Sequence, residues 1–170
     1  MDYASQIQQA VEILASGTND ESLKNNVLNF VNELKSSPDG WNHCIELLVK
    51  NDAISDNVKF FIFQILSEKI STLNSNDLIK LKDSIFDYLT NLVSQNKIEP
   101  VYLKNGLSKV IGLLFVYATL SCYPAILKDL LKLTKINNND YNDLATDYYL
   151  RTLLVIHSEI GDHLILRDRN

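Results

Sequence analysis

A chain of 170 residues, 46% hydrophobic and 22% charged, has the length and composition of a domain-sized globular unit with a real core. Its formal charge of −5 supplies no whole-domain basic field, which argues against this chain by itself holding nucleic acid tightly. Five glycines and three prolines are few for this length and suit long helices rather than strands and turns.

Stripe spacing and stop signals predict eight helices, near 3–15, 20–36, 38–51, 56–73, 77–96, 101–122, 125–135 and 144–160. The first opens on the polar stretch MDYASQIQQA, which is not a secretory signal pattern. It carries Ile7, Ala10, Val11 and Leu14 on one face and ends at Gly17. The second repeats the pattern with Leu23, Val27, Phe30, Val31 and Leu34, and its opposite side is a polar row of Asn25, Asn29 and Asn32. In SSPDGW, Ser37 is expected to cap the third helix, with Pro38 at its first position. Trp41, Cys44, Ile45, Leu48 and Val49 form that helix's stripe.

The fourth helix, capped by Ser55, is oily on two sides. Val58, Phe61, Ile62 and Ile65 share one side, while Phe60 and Phe63 fall opposite. A helix stacked between neighbouring hairpins has a use for both faces, so Phe60 and Phe63 read first as packing between repeats. Asn76 is expected to cap the fifth helix, striped by Leu78, Leu81, Ile85, Leu89 and Leu92. Pro100 opens the sixth, where Asn105, Lys109, Gly112 and Val116 line the expected outward face and Gly112 permits close backbone approach. Pro124 opens a short seventh with Leu127, Leu130 and Leu131. The polar bridge INNNDYND leads to the eighth, with a cap at Asn142 or Asp143 and a core of Leu150, Leu153, Leu154 and His157.

No strand alternation competes, and most connections are short. Successive helices therefore pair as antiparallel hairpins, whose spacing is close to that of stacked HEAT-type repeats; a closed bundle satisfies the same spacing. The oiliest run, VIGLLFVYATLSCYPAIL, is broken by Pro124 and reads as a buried helix rather than a membrane span.

Chemistry-bearing constellations are sparse. Cys44 and Cys122 lie far apart without a His/Cys cluster, so reduced thiols are expected and neither a disulfide framework nor a zinc site. Asp140, Asp143 and Asp147 have no facing acidic cluster and read first as a solvated loop and cap. His43, His157 and His163 are widely separated, and His157 reads as a core histidine. There is no glycine-rich phosphate loop. The expectation is a non-enzyme without metal or cofactor.

Two stretches, LKSSPDGWNHCIELL and SDNVKFFIFQILSEKI, followed by YLKNGLSKVIGLLFVYATL and DYYLRTLLVIHSEIGD, resemble the exportin-T family of tRNA nuclear export receptors, in the karyopherin-β (importin-β) superfamily. The resemblance runs from about Glu21 onward and rests on the SPDxW, VKFFxFQ and YLRxL…SEI elements. It departs at Gly106, where the family usually has a lysine. It implies an all-α fold, a right-handed α-solenoid of antiparallel HEAT-like helix pairs. Residues 1–170 would be an amino-terminal segment of about four pairs, the last incomplete. It further implies binding of Ran-GTP, carriage of mature tRNA by the full-length receptor, contact with nuclear pore proteins, and shuttling between nucleus and cytoplasm without a membrane. Carried onto matching positions, the Ran-GTP-binding assignment falls on Lys59, Phe63, Gln64, Asn105 and Lys109. The alternative is a general helical-repeat adaptor for protein partners, without Ran or tRNA binding.

Overall fold

A computed structural model describes residues 3–50, 53–119, 125–135 and 141–167. Its elements are α1 (Tyr3–Ser16), α2 (Glu21–Ser36), α3 (Gly40–Lys50), α4 (Asp56–Lys69), a 3-10 turn (Ile70–Thr72), α5 (Ser75–Ser94), α6 (Val101–Thr119), α7 (Ile126–Leu133) and α8 (Asp143–Arg167). Among the described residues there is no strand beyond an isolated bridge between Lys135 and Tyr141, and no helix long and apolar enough to cross a membrane. The helices fall into two compact units, Met1–Lys69 and Ile70–Asn170.

In the first unit α1 packs against α2, α3 and α4. Of its predicted stripe Ile7, Ala10 and Val11 are buried while Leu14 is exposed, and Gly17 ends the helix at φ +63°. The left-handed conformation there favours glycine because it has no Cβ to clash. Asp20 caps α2 by accepting from the Leu23 amide at 3.1 Å. Ala10, Val27 and Val31 then form a cluster flanked by Ile13, Phe30 and Phe61.

The turn from α2 into α3 departs from expectation. The helix begins at Gly40 rather than at Pro38, because Ser37 Oγ accepts from the Asp39 amide, at 3.3 Å, and shapes a turn there. Gly40 marks a close approach between α2 and α3. A Cβ there would sit 1.9 Å from the Leu34 carbonyl oxygen, so only a residue without one lets α3 leave so close to α2. Trp41, Cys44, Ile45, Leu47 and Leu48 follow as a buried face. On α4, Ser55 Oγ accepts from the Val58 amide at 3.4 Å. Val58, Ile62, Ile65 and Leu66 are buried and so is Phe63, while Phe60 is exposed.

In the second unit the cap of α5 is Asn74, not Asn76. Asn74 Oδ1 accepts from the Asp77 amide at 3.0 Å, and its own amide donates to Asp77 Oδ2 at 2.7 Å. All five stripe residues of α5 are buried, each worth about 1.5–3 kcal/mol on leaving water. Asn96, at φ 48°, ends the helix, and the Lys97 amide donates back to the Leu92 carbonyl at 2.9 Å. The carbonyl of Pro100 accepts the first amides of α6, those of Leu103 and Lys104.

The most extensive packing in this unit is between α6 and α8. Lys104 meets Asp147, Asn105 meets Arg151, and Gly112 meets Val155, so the partners advance together and the two helices run parallel. Hairpin α5/α6 and hairpin α7/α8 therefore lie side by side with their second helices adjacent. In a closed ring of four antiparallel helices those two would stand diagonally. Gly112 faces α8 rather than outward: a Cβ there would lie 2.6 Å from Val155 Cγ1.

The buried face of α8 also differs from the spacing-based expectation. Ala145, Tyr148, Thr152 and Ile156 are buried, whereas Leu150 is 54% and Leu154 71% exposed, and His157 is exposed as well. The contact at Gly112 falls on Thr152 and Val155, while Leu144 and the large Tyr148 are buried nearer the start of the helix. Asn142 is the cap, its Oδ1 accepting from the Ala145 amide at 2.9 Å. Pro124 and Asp140 lie outside the described residues.

Candidate partner-binding surface

The five assigned residues divide between the two units. On α4, Lys59 is 5% exposed and its ammonium lies 3.5 Å from Asp56 Oδ1, while Phe63 is 1% exposed. Gln64 is exposed. Of the three, only the Gln64 side chain is open to solvent, and Lys59 and Phe63 belong to the packing of α4. On α6, Asn105 and Lys109 are both exposed and one turn apart.

The α6 residues are the better positioned. Behind them, Glu99 is buried and accepts from Tyr88 at 2.9 Å and from Tyr148 at 3.3 Å. That carboxylate ties the segment before α6 to α5 and α8. Burial, followed by the nearby Glu99 carboxylate, pushes the Tyr148 hydroxyl up, so it stays a neutral donor. In front, Lys104 Nζ donates to Asp147 Oδ2 at 2.6 Å and Arg151 Nε donates to Asp147 Oδ1 at 2.7 Å. Arg151 Nη1 also donates to Asn105 Oδ1 at 2.6 Å. Burial raises the Asp147 carboxyl, but the hydrogen bonds from Lys104 and Arg151 outweigh it and hold the group below its ordinary value.

Spacing missed this cluster. Asp147 and Arg151 sit one turn apart on α8, which a reader of the sequence can see, but Asn105 and Arg151 are separated by 46 positions. Their meeting depends on the register between two parallel helices.

Among the described residues the groups that could do chemistry are otherwise engaged. Asp147 has both oxygens engaged by cations. His43 stacks its ring on Tyr3, centroids 4.2 Å apart, instead of serving a thiol. The Cys44 thiol is pushed up to about 12 by burial, so it is not a nucleophile near neutral pH. Among the described residues no group of three or more His, Cys, Asp or Glu is placed to hold a metal ion.

Stacked hairpins of this kind define a class. Residues 100–170 match the family described as Exportin 1-like protein, whose members are HEAT-type helical solenoids. Within that class its similarity is to exportin-T. It is 38% identical to the protein of that name from Candida albicans, 40% to that from Debaryomyces hansenii and 42% to that from Scheffersomyces stipitis. Each alignment covers 96% of this chain and 16–17% of the relative. The chain thus spans about one sixth of the length of these relatives.

Proposed function

We propose that this chain is the amino-terminal HEAT-repeat stretch of a nuclear export receptor. It binds Ran in its GTP form, and the whole receptor carries mature tRNA from nucleus to cytoplasm through the nuclear pore. The similarity to exportin-T along nearly the whole chain carries this reading. Gln64 on α4 and Asn105 and Lys109 on α6 are the residues through which Ran is contacted, with Lys59 and Phe63 setting the position of the α4 face. The net charge of −5 fits a division of labour in which this stretch takes a protein and other parts of the receptor take the nucleic acid. The leucines bared on α8 suit a hairpin that stacks against a further one.

A pull-down with the intact protein compares Ran loaded with GTP and with GDP. Retention of the GTP form alone is the expected result. Equal retention of both forms, or of neither, rejects the receptor reading and favours a general helical-repeat adaptor. Lys109→Glu reverses a charge at the exposed edge and is expected to weaken Ran-GTP binding without unfolding the protein, since its side chain is in solvent.

A further inference from the structure

We infer that Asp147 and Arg151 act as a clamp that holds the Asn105 amide in one orientation, so that the exposed edge of α6 presents hydrogen-bond donors to a carboxylate-bearing loop of the protein partner. This deepens the receptor reading and rests on it.

The orientation follows from donor chemistry. A guanidinium has N–H donors and no acceptor, so the atom of Asn105 that lies 2.6 Å from Arg151 Nη1 has to be the amide oxygen. The amide NH2 is thereby turned away from the guanidinium. Arg151 is itself held, because its Nε donates to Asp147 Oδ1, whose other oxygen accepts from Lys104. An asparagine on a bare surface samples both orientations and greets donors and acceptors alike. This one is committed to offering donors.

The neighbourhood favours an anionic acceptor. Lys104, Arg151 and the exposed Lys109 stand against Asp147, whose oxygens already serve two of those cations, and against Glu99, which is buried behind the edge and bonded to Tyr88 and Tyr148. This edge is positive on a chain whose net charge is −5. One turn earlier on the same helix Val101 and Tyr102 are 58% and 44% exposed. Apolar and aromatic surface beside a few committed donors suits a folded protein loop. A phosphodiester chain needs many cations along its track, and this edge has few.

Asn105→Asp separates the clamp's role from mere structure. The new carboxylate still accepts from Arg151, so the melting temperature is expected to stay the same or rise. It has no N–H to donate and repels an incoming carboxylate. In the intact protein, without tRNA present, Ran-GTP affinity is expected to fall by about tenfold or more. Asn105→Ala removes the donors without adding charge and should fall less. Arg151→Gln keeps Asn105 but releases it, and a loss of several-fold is expected. Unchanged Ran-GTP affinity in folded Asn105→Asp overturns the clamp while leaving the receptor reading in place. A wild-type protein with no preference for Ran-GTP overturns both. If Asn105→Asp weakens tRNA binding and spares Ran-GTP, the edge belongs to nucleic acid and the inference fails.

Discussion

Gly40→Ala sets two effects of opposite sign against each other. Alanine is the better helix former, and at a helix position the exchange is worth about 1 kcal/mol in its favour. At this position the added Cβ would stand 1.9 Å from the Leu34 oxygen and 3.0 Å from the Leu34 carbonyl carbon. An ordinary carbon–oxygen contact needs more than ~3 Å, so the chain has to open by about 1 Å where α2 hands over to α3. The obstacle is backbone, not the end of a flexible side chain, and it belongs to a residue that is itself buried. Opening that seam also disturbs Trp41, buried next to it. Overpacking of this kind costs about 1–3 kcal/mol where side chains can yield, and here the upper end or more is expected. The clash wins, for a net loss of about 2 kcal/mol or more. In a chain of this size that lowers the thermal midpoint by roughly 4–8 °C. Thermal unfolding followed by circular dichroism at 222 nm reads it directly. A midpoint equal to or above that of the unmodified chain would refute the close approach and with it the account of the α2–α3 turn.

Three further outcomes are expected. The Cys44 thiol, raised to about 12 by burial, should resist thiol reagents at pH 8 in the native protein and react once the chain is unfolded, as peptide mapping would show. Asp147→Asn should cost on the order of 1 kcal/mol near neutral pH, since the pair is partly screened by solvent. Because the folded carboxyl is held below its ordinary value, the stabilisation is present above about pH 5 and is lost as pH falls through the folded value. Chemical denaturation of both proteins should therefore differ at pH 7 and converge in acid; a gap that widens toward low pH contradicts the assignment. Leu114→Ala, at a fully buried site of α6, should cost about 2–5 kcal/mol, whereas Leu154→Gln, at a site 71% exposed, should change the stability of this chain by no more than about 0.5 kcal/mol.

What could be read from the letters alone depended on how one-sided each helix is. On α5 the apolar residues recur strictly at helical spacing, and all five named for the stripe are buried. On α8 large apolar residues occur all round, so spacing could not say which side meets α6. Leu150 and Leu154 were assigned inward and lie outward, Leu153 is half-buried, and Thr152 and Val155 take the contact at Gly112. On α4 the reading of Phe63 as packing agrees with its burial, whereas Lys59, carried over from the resemblance as a contact, is buried as well. Caps show a finer limit. In LNSND two asparagines compete, and the choice of Asn74 over Asn76 rests on Asp77, whose carboxylate accepts from the Asn74 amide. On α6, Asn105 and Lys109 were legible as an exposed pair. The hold of Arg151 on Asn105 was not, since no local pattern encodes the register of two parallel helices.

The receptor reading stands or falls on coupling between two ligands. Two bound partners that stabilise each other on one scaffold must do so by the same factor in either direction, typically about 5–150-fold. The decisive measurement is the affinity of the intact protein for tRNA with and without saturating Ran-GTP, paired with its affinity for Ran-GTP with and without tRNA. The account predicts that each ligand tightens the other by a common factor and that Ran-GDP gives no such effect. Affinities that are independent of one another, or a tightening that Ran-GDP reproduces, would contradict it.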